Sequence, residues 1–252
     1  MSAKSIFGTA RNVSILIRDL EAAGMRVEVG DDFALYRNYR NACAGRGGIS
    51  PIFDAASSFI DETNGFWICG FNGSDEVIHT QAVRLLDLSG ITLGKHLDMH
   101  RHKYIVPDTT PDPDLTFFQG PEALKTVSGS VGYCGDFWLT SLGLGGPRSQ
   151  GATTLLSRLL FEILQQAFSP DFVFAFVPQQ LAAKGAHLRY GYTHCEPGRW
   201  IGPDQQVTDE EYMIWMSAGD IKNVLARDVQ SVRPAGQVAA IRTPLASIDS
   251  VR

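Results

Sequence analysis

The chain has 252 residues, 44% of them hydrophobic and 19% charged, with 22 Lys+Arg against 27 Asp+Glu for a net charge of −5. That describes a globular chain able to bury a core as one large domain or two small ones. It excludes collagen-like, disordered and disulfide-scaffold classes. No apolar run approaches the ~20 residues of a membrane helix, and the acidic balance argues against a nucleic-acid partner.

Met1 to Arg11 lacks the apolar stretch of a signal peptide, so a cytoplasmic protein is expected. Cys43, Cys69, Cys134 and Cys195 form no C-x-x-C pair and read as reduced, mostly buried thiols.

Val13 to Ala23 carries helical spacing in Val13, Leu16, Ile17 and Leu20, with Gly24 as the stop. Arg26–Val29 alternates like a short strand. Phe33–Ala44 reads as a helix. Ser50-Pro51 is a helix-start signal, predicting a helix to about Ile60. Gly65–Phe71 and Glu76–Leu86 are β-rich runs around Asn72-Gly73-Ser74-Asp75, hence a hairpin. Asp87–Val131, with four prolines, reads as a loop-rich insertion. Phe137–Leu144 is a strand candidate, followed by a glycine-rich turn. Gly151–Phe168 is an amphipathic helix with a broad leucine stripe. Phe172–Val177 is an apolar run suited to a strand covered on both faces. A short helix Gln179–Arg189, strands Tyr192–Ile201 and Glu211–Ser217, and a helix Asp220–Arg227 complete the chain. No internal repeat is visible.

Leu142 to Thr153 is the most informative stretch. A glycine-rich loop after a strand and before a helix turns backbone N–H groups and a helix dipole toward an anion. The P-loop pattern fails because Ala152 stands where its lysine must be. The dinucleotide fingerprint fails because its third glycine position is Arg148. The run Arg148-Ser149-Gln150-Gly151-Ala152-Thr153 resembles the pyrophosphate loop of the GNAT superfamily of N-acyltransferases, [QR]-x-x-G-x-[GA], with Thr153 departing from the small last residue.

The element order around the loop is also similar to that family from Arg26 to Ser217. The resemblance implies an α/β (α+β) fold, a mixed, mostly antiparallel central sheet flanked by helices. One domain over 26–218 is expected, with an N-terminal helix extension in 1–25, the insertion in 87–131 and a tail in 219–252. It further implies acetyl-CoA or another acyl-CoA as co-substrate. Backbone groups of Arg148, Ser149, Gln150, Gly151, Ala152 and Thr153 would hold the pyrophosphate. Leu142, Gly143 and Leu144 would bond the pantetheine arm in a V-shaped slot beside Phe172–Val177.

The implied reaction is direct acyl transfer to a small-molecule or peptide amine, without nucleic acid, membrane or metal; a homodimer is compatible. Such transfer needs proximity, a proton acceptor and a proton donor. The family's donor is often a Tyr four residues before a Gly-aromatic pair. Here that position is His187, before Gly191-Tyr192, and Tyr190 or Tyr192 could serve instead. Asp136 is the base candidate at the start of the central strand, ahead of Asp171. His96, His100 and His102 lack the H-E-x-x-H order of a zinc hydrolase. Two other readings stay open: a CoA-binding regulatory module without turnover, and a homoserine-lactone-type signal synthase using an acyl carrier.

Overall fold

The computed structural model describes residues 3–43, 45–105, 112, 114–140, 146–205 and 207–227. No helix among them is long and apolar enough to cross a membrane. Helix α1, Ala3–Ala22, begins ten residues before the periodic stretch and buries Leu16 and Leu20. Strand β1 is Arg26–Gly30. Helix α2, Phe33–Ala42, is capped by Asp32, whose carboxylate accepts from the N–H groups of Ala34 and Leu35.

The helix expected from Ser50 to Ile60 does not form. Only Pro51–Phe53 makes a single 3-10 turn. The Ser50 hydroxyl donates to the Lys103 carbonyl instead of capping. The Asp54 side chain accepts from the Ala56 N–H, and its carbonyl accepts from Ser57 and Ser58. These short polar residues offer the backbone local bonds that compete with a helix.

Strands β2, Gly65–Phe71, and β3, Val77–Leu88, form the expected hairpin. Asn72 Oδ1 organises its turn by accepting from the N–H groups of Ser74 and Glu76. The insertion holds more order than its prolines suggest. It contains helix α3, Leu93–His100, and strand β4, Phe117–Gln119.

Strand β5 runs Gly129–Leu139, beginning eight residues before the expected Phe137. Helix α4 is Ala152–Ala167, and strand β6 is Phe172–Pro178. The expected helix Gln179–Arg189 is two, α5, Gln179–Ala183, and α6, Ala186–Tyr190. The expected strand Tyr192–Ile201 also divides, into β7, His194–Pro197, and β8, Arg199–Ile201. Strands β9, Val207–Asp209, and β10, Glu211–Ser217, precede helix α7, Ala218–Ala226.

The main sheet has seven strands in the order β1-β2-β3-β5-β6-β10-β7. Every pairing in it is antiparallel except β5 with β6. Strands β4, β8 and β9 form a separate small sheet. One core lies on the α1–α4 face, around Leu155, Leu159, Val173 and Ile214. The other lies on the α2–α3 face, around Tyr36, Trp67, Leu97 and Phe174. All four cysteines are free, and Cys43, Cys69 and Cys134 are buried.

Candidate active site

The site begins where two strands part. β5 and β6 pair only at Val131–Phe172, Gly132–Val173 and Tyr133–Phe174. Beyond Tyr133 the two run on as strands without pairing, to Leu139 and to Pro178. A cavity of about 240 Å³ occupies the gap. Cys134, Leu160, Phe161, Val177, Tyr192 and Ile214 line it from the α4 side, and Phe53, Tyr104, Tyr133 and Phe176 from the other. The cavity therefore passes through the sheet.

A β-bulge shapes one arm. Thr80 faces Trp138 and Ala82 faces Gly135, so Asp136 and Phe137 together oppose Gln81. Asp136 sits there with φ +55°, a left-handed conformation that Asp tolerates better than most residues. It is thus inside the strand near its end, not at the start, and it lines the cavity.

The Asp136 carboxylate is tightly held. It accepts from Arg40 Nε at 2.8 and 2.9 Å, from an Arg46 terminal nitrogen at 2.7 Å and from the Tyr36 hydroxyl. Arg46 also donates to the Thr80 hydroxyl and lies 5.4 Å from the Trp138 ring centre. Desolvation lowers Arg46 from its ordinary value, against the opposing pull of Asp136. The lone pairs of the carboxylate are thus committed to two guanidiniums and a phenol.

Tyr192 lies in the cavity wall, 5.3 Å from the Phe161 ring. Its hydroxyl shares a hydrogen bond with the Cys134 thiol, and burial pushes it well above its ordinary value. Burial also pushes Cys134 up to about 12. Its position follows from the end of α6. Gly191 adopts φ +81°, its N–H donates to the Leu188 carbonyl, and the Tyr192 N–H donates back to His187 at 2.9 Å. This Schellman cap needs the left-handed residue that glycine supplies, and it turns Tyr192 under α4. His187 contributes that carbonyl. Its side chain is not among those lining the cavity, and Nδ1 is buried without a partner among the described residues.

Leu142, Gly143 and Leu144 lie outside the described residues. Pro147–Gln150 form a 3-10 turn, and Gly151, at φ +79°, joins it to α4 with no side-chain cap. Ala152 and Thr153 open the helix. The Arg148 guanidinium donates to the Leu139 carbonyl, tying this turn to the end of β5. The start of α4 is therefore held close in the chain to the end of β5 by the Arg148–Leu139 bond.

Cavity residues that the sequence reading does not single out include Tyr133 and Glu211. Tyr133 is the last residue of β5 paired to β6, stacked 5.3 Å from Phe53. Glu211 begins β10, and its Oε2 accepts from Trp200 Nε1 at 2.9 Å. Burial, then the nearby Glu211 charge, raises the Tyr133 hydroxyl well above its ordinary value, so it stays protonated. Tyr190, against Phe137 at 4.8 Å, is raised by burial too. The insertion histidines assemble no metal-ligand group of three among the described residues. His96 Nε2 bonds the Tyr104 hydroxyl at 2.8 Å, and burial pushes His96 down to about 4.

Apart from the missing helix at Ser50 and the divided short helix after β6, the order strand, helix, hairpin, central strand, turn, long helix, apolar strand and closing strands is the one expected above. A mixed, mostly antiparallel sheet flanked by helices, with one parallel pair that splits, is what the resemblance to the GNAT N-acyltransferases implies. Similar solved structures include the N-acyl amino acid synthase FeeM from uncultured soil microbes, 8% identical, TM-score 0.36, covering 90% of this chain and 91% of that one. The aminoglycoside acetyltransferase AAC(6')-Ib in complex with coenzyme A and kanamycin is 14% identical, TM-score 0.37, covering 78% and 98%. A variant of the spermidine N-acetyltransferase SpeG from Vibrio cholerae is 10% identical, TM-score 0.40, covering 79% and 97%. No family model and no curated protein sequence matches the chain. At these identities and scores the likeness carries nothing about substrate.

Proposed function

We propose that the chain is an acyl-CoA-dependent N-acyltransferase, moving an acetyl or other acyl group to the amine of a small molecule or peptide. The observation that carries this reading is the parting of β5 and β6 after Tyr133–Phe174, with a cavity through the gap and an uncapped helix beyond Leu139. Unpaired backbone on the open arm of β5 suits the amides of a pantetheine arm. The N–H groups of Ala152 and Thr153 at the start of α4 suit a pyrophosphate, while those of Ser149 and Gly151 donate to Gly146 and Arg148 within the turn. Arg148 acts there by anchoring the turn to Leu139.

The reaction forms a C–N bond and breaks a C–S bond at one carbonyl carbon. The attacking amine must be neutral and must lose a proton, and the leaving thiolate must gain one. In this reading Glu211 receives the amine proton, and Tyr133 supplies one to the thiolate. Asp136 has a positioning role, fixing the bulge through Arg40 and Arg46. Tyr192 closes the α4 wall, and His187 serves the cap that sets Tyr192 in place.

Calorimetric titration with CoA and release of free thiol from acetyl-CoA across a panel of amines test the reading. CoA binding is expected to fall at least about tenfold in Gly151→Val, because a β-branched residue is strained at positive φ and shifts the turn. Absence of CoA binding by the unaltered chain, or wild-type binding by the variant, would refute the placement. Tight CoA binding with no thiol release on any amine would favour a module without turnover. Activity only with an acyl carrier protein would favour a synthase.

A further inference from the structure

On the α2–α3 face of the sheet the walls of the cavity are rings. Phe53, Tyr104, Tyr133 and Phe176 line it there. Phe53 stacks on Tyr133 at 5.3 Å, Tyr104 meets Tyr133 edge-on at 5.0 Å, and Phe176 meets Tyr104 at 6.2 Å. Trp200 backs Phe176 at 5.6 Å. Contacts of this kind fix each ring by its neighbours, so the chamber is preformed.

The polar groups around it are engaged with the protein. The Tyr104 hydroxyl bonds His96, and the Ser50 hydroxyl donates to the Lys103 carbonyl at 2.9 Å. Asp136 is neutralised by two arginines, and Glu211 accepts from Trp200. An apolar group gains from every methylene it buries. An acetyl group carries only one methyl, and four ring faces are far more wall than a methyl needs.

We propose that the acyl donor carries a hydrocarbon chain of several carbons, which lies in the chamber formed by Phe53, Tyr104, Tyr133 and Phe176. The inference rests on the reading that a CoA thioester occupies the split between β5 and β6. The chamber lies across the sheet from α4, so a chain entering from that side passes the last β5–β6 pair and ends among the rings.

Donor binding tests this without knowledge of the acceptor. The full chain is titrated calorimetrically with CoA, acetyl-CoA, hexanoyl-CoA and dodecanoyl-CoA. Each buried methylene is worth about fourfold in affinity, so hexanoyl-CoA is expected to bind at least about tenfold tighter than acetyl-CoA. Ser50→Phe and Phe176→Trp each add atoms to the chamber and are expected to bring hexanoyl-CoA back toward acetyl-CoA. If neither variant folds, the series on the unaltered chain decides alone. Equal affinity along the series, or tightest binding of acetyl-CoA, would overturn the inference and give the chamber to the acceptor. Failure of every CoA species to bind would overturn the donor site itself, and this inference with it.

Discussion

His79 makes stability depend on pH in a way that can be worked out in advance. Its ring is fully buried, and burial pushes it down from 6.5 to about 3. The contact of Nδ1 with the Trp138 carbonyl at 2.6 Å requires Nδ1 to carry the proton and donate. Nε2 is then the basic atom, and it is buried without a partner among the described residues. Protonating it puts a second proton and a full charge where nothing receives either, with Arg46 adding repulsion.

The folded value lies below the unfolded one, so the unfolded chain binds more protons between about pH 3 and 6.5. Stability therefore rises with pH across that window and is unaffected above it. At about pH 4.5 the lag is two units, so His79 alone removes about 2.5 kcal/mol relative to neutral pH. The comparison is His79→Asn, whose amide can still donate to Trp138 but does not titrate. Urea midpoints at pH 7 and pH 4.5 give the two stabilities. The variant, though weaker at pH 7, should lose about 2.5 kcal/mol less on acidification than the unaltered chain. His96 titrates in the same direction in both proteins and cancels in the difference. Equal losses would refute the buried, singly protonated ring.

Asp136→Ala leaves Arg40 and Arg46 buried and facing each other, so a loss of about 3–5 kcal/mol is expected in urea unfolding. Arg46→Met should cost less, because Arg40 and Tyr36 still hold the carboxylate. Arg158 is buried, bonds Glu162 and donates to the carbonyls of Val224, Leu225 and Arg227. Arg158→Met should release α7 and expose its amides to faster hydrogen exchange, with a loss of about 3 kcal/mol.

The sequence reveals the parts of this fold that are locally self-consistent. The leucine stripe of α4, the FVFAFV run of β6, the Asn72 turn and the Gly191-Tyr192 cap each carry their own pattern. The start of β5 carries none. Gly129, Gly132 and Gly135 depress its strand propensity, and pairing with β3 from Leu88 to His79 overrides that. Starting β5 eight residues late, at Phe137, makes Asp136 a strand start and leaves Tyr133 outside any element. Glu211 and Phe53 join the cavity only through tertiary contact, and nothing in their local sequence points to it. The helix at Ser50 fails for the opposite reason. A good start signal was followed by Asp54, Ser57 and Ser58, which bond their own neighbourhood.

The net charge of −5 hides an uneven distribution that bears on the proposed donor site. Residues 137–161 and 172–195 supply the last three residues of β5, the turn before α4, the start of α4, all of β6, and helices α5 and α6. Neither segment contains a single Asp or Glu, although they hold Arg148, Arg158, Lys184 and Arg189. Carboxylates in these segments would oppose the helix dipole of α4 and repel a phosphate-bearing donor at its approach. Asp136 and Glu211 are the carboxylates that line the cavity, and each is engaged there, Asp136 by Arg40 and Arg46 and Glu211 by Trp200. A phosphate site built from backbone N–H groups needs few cations of its own, provided no anion competes with the ligand for them.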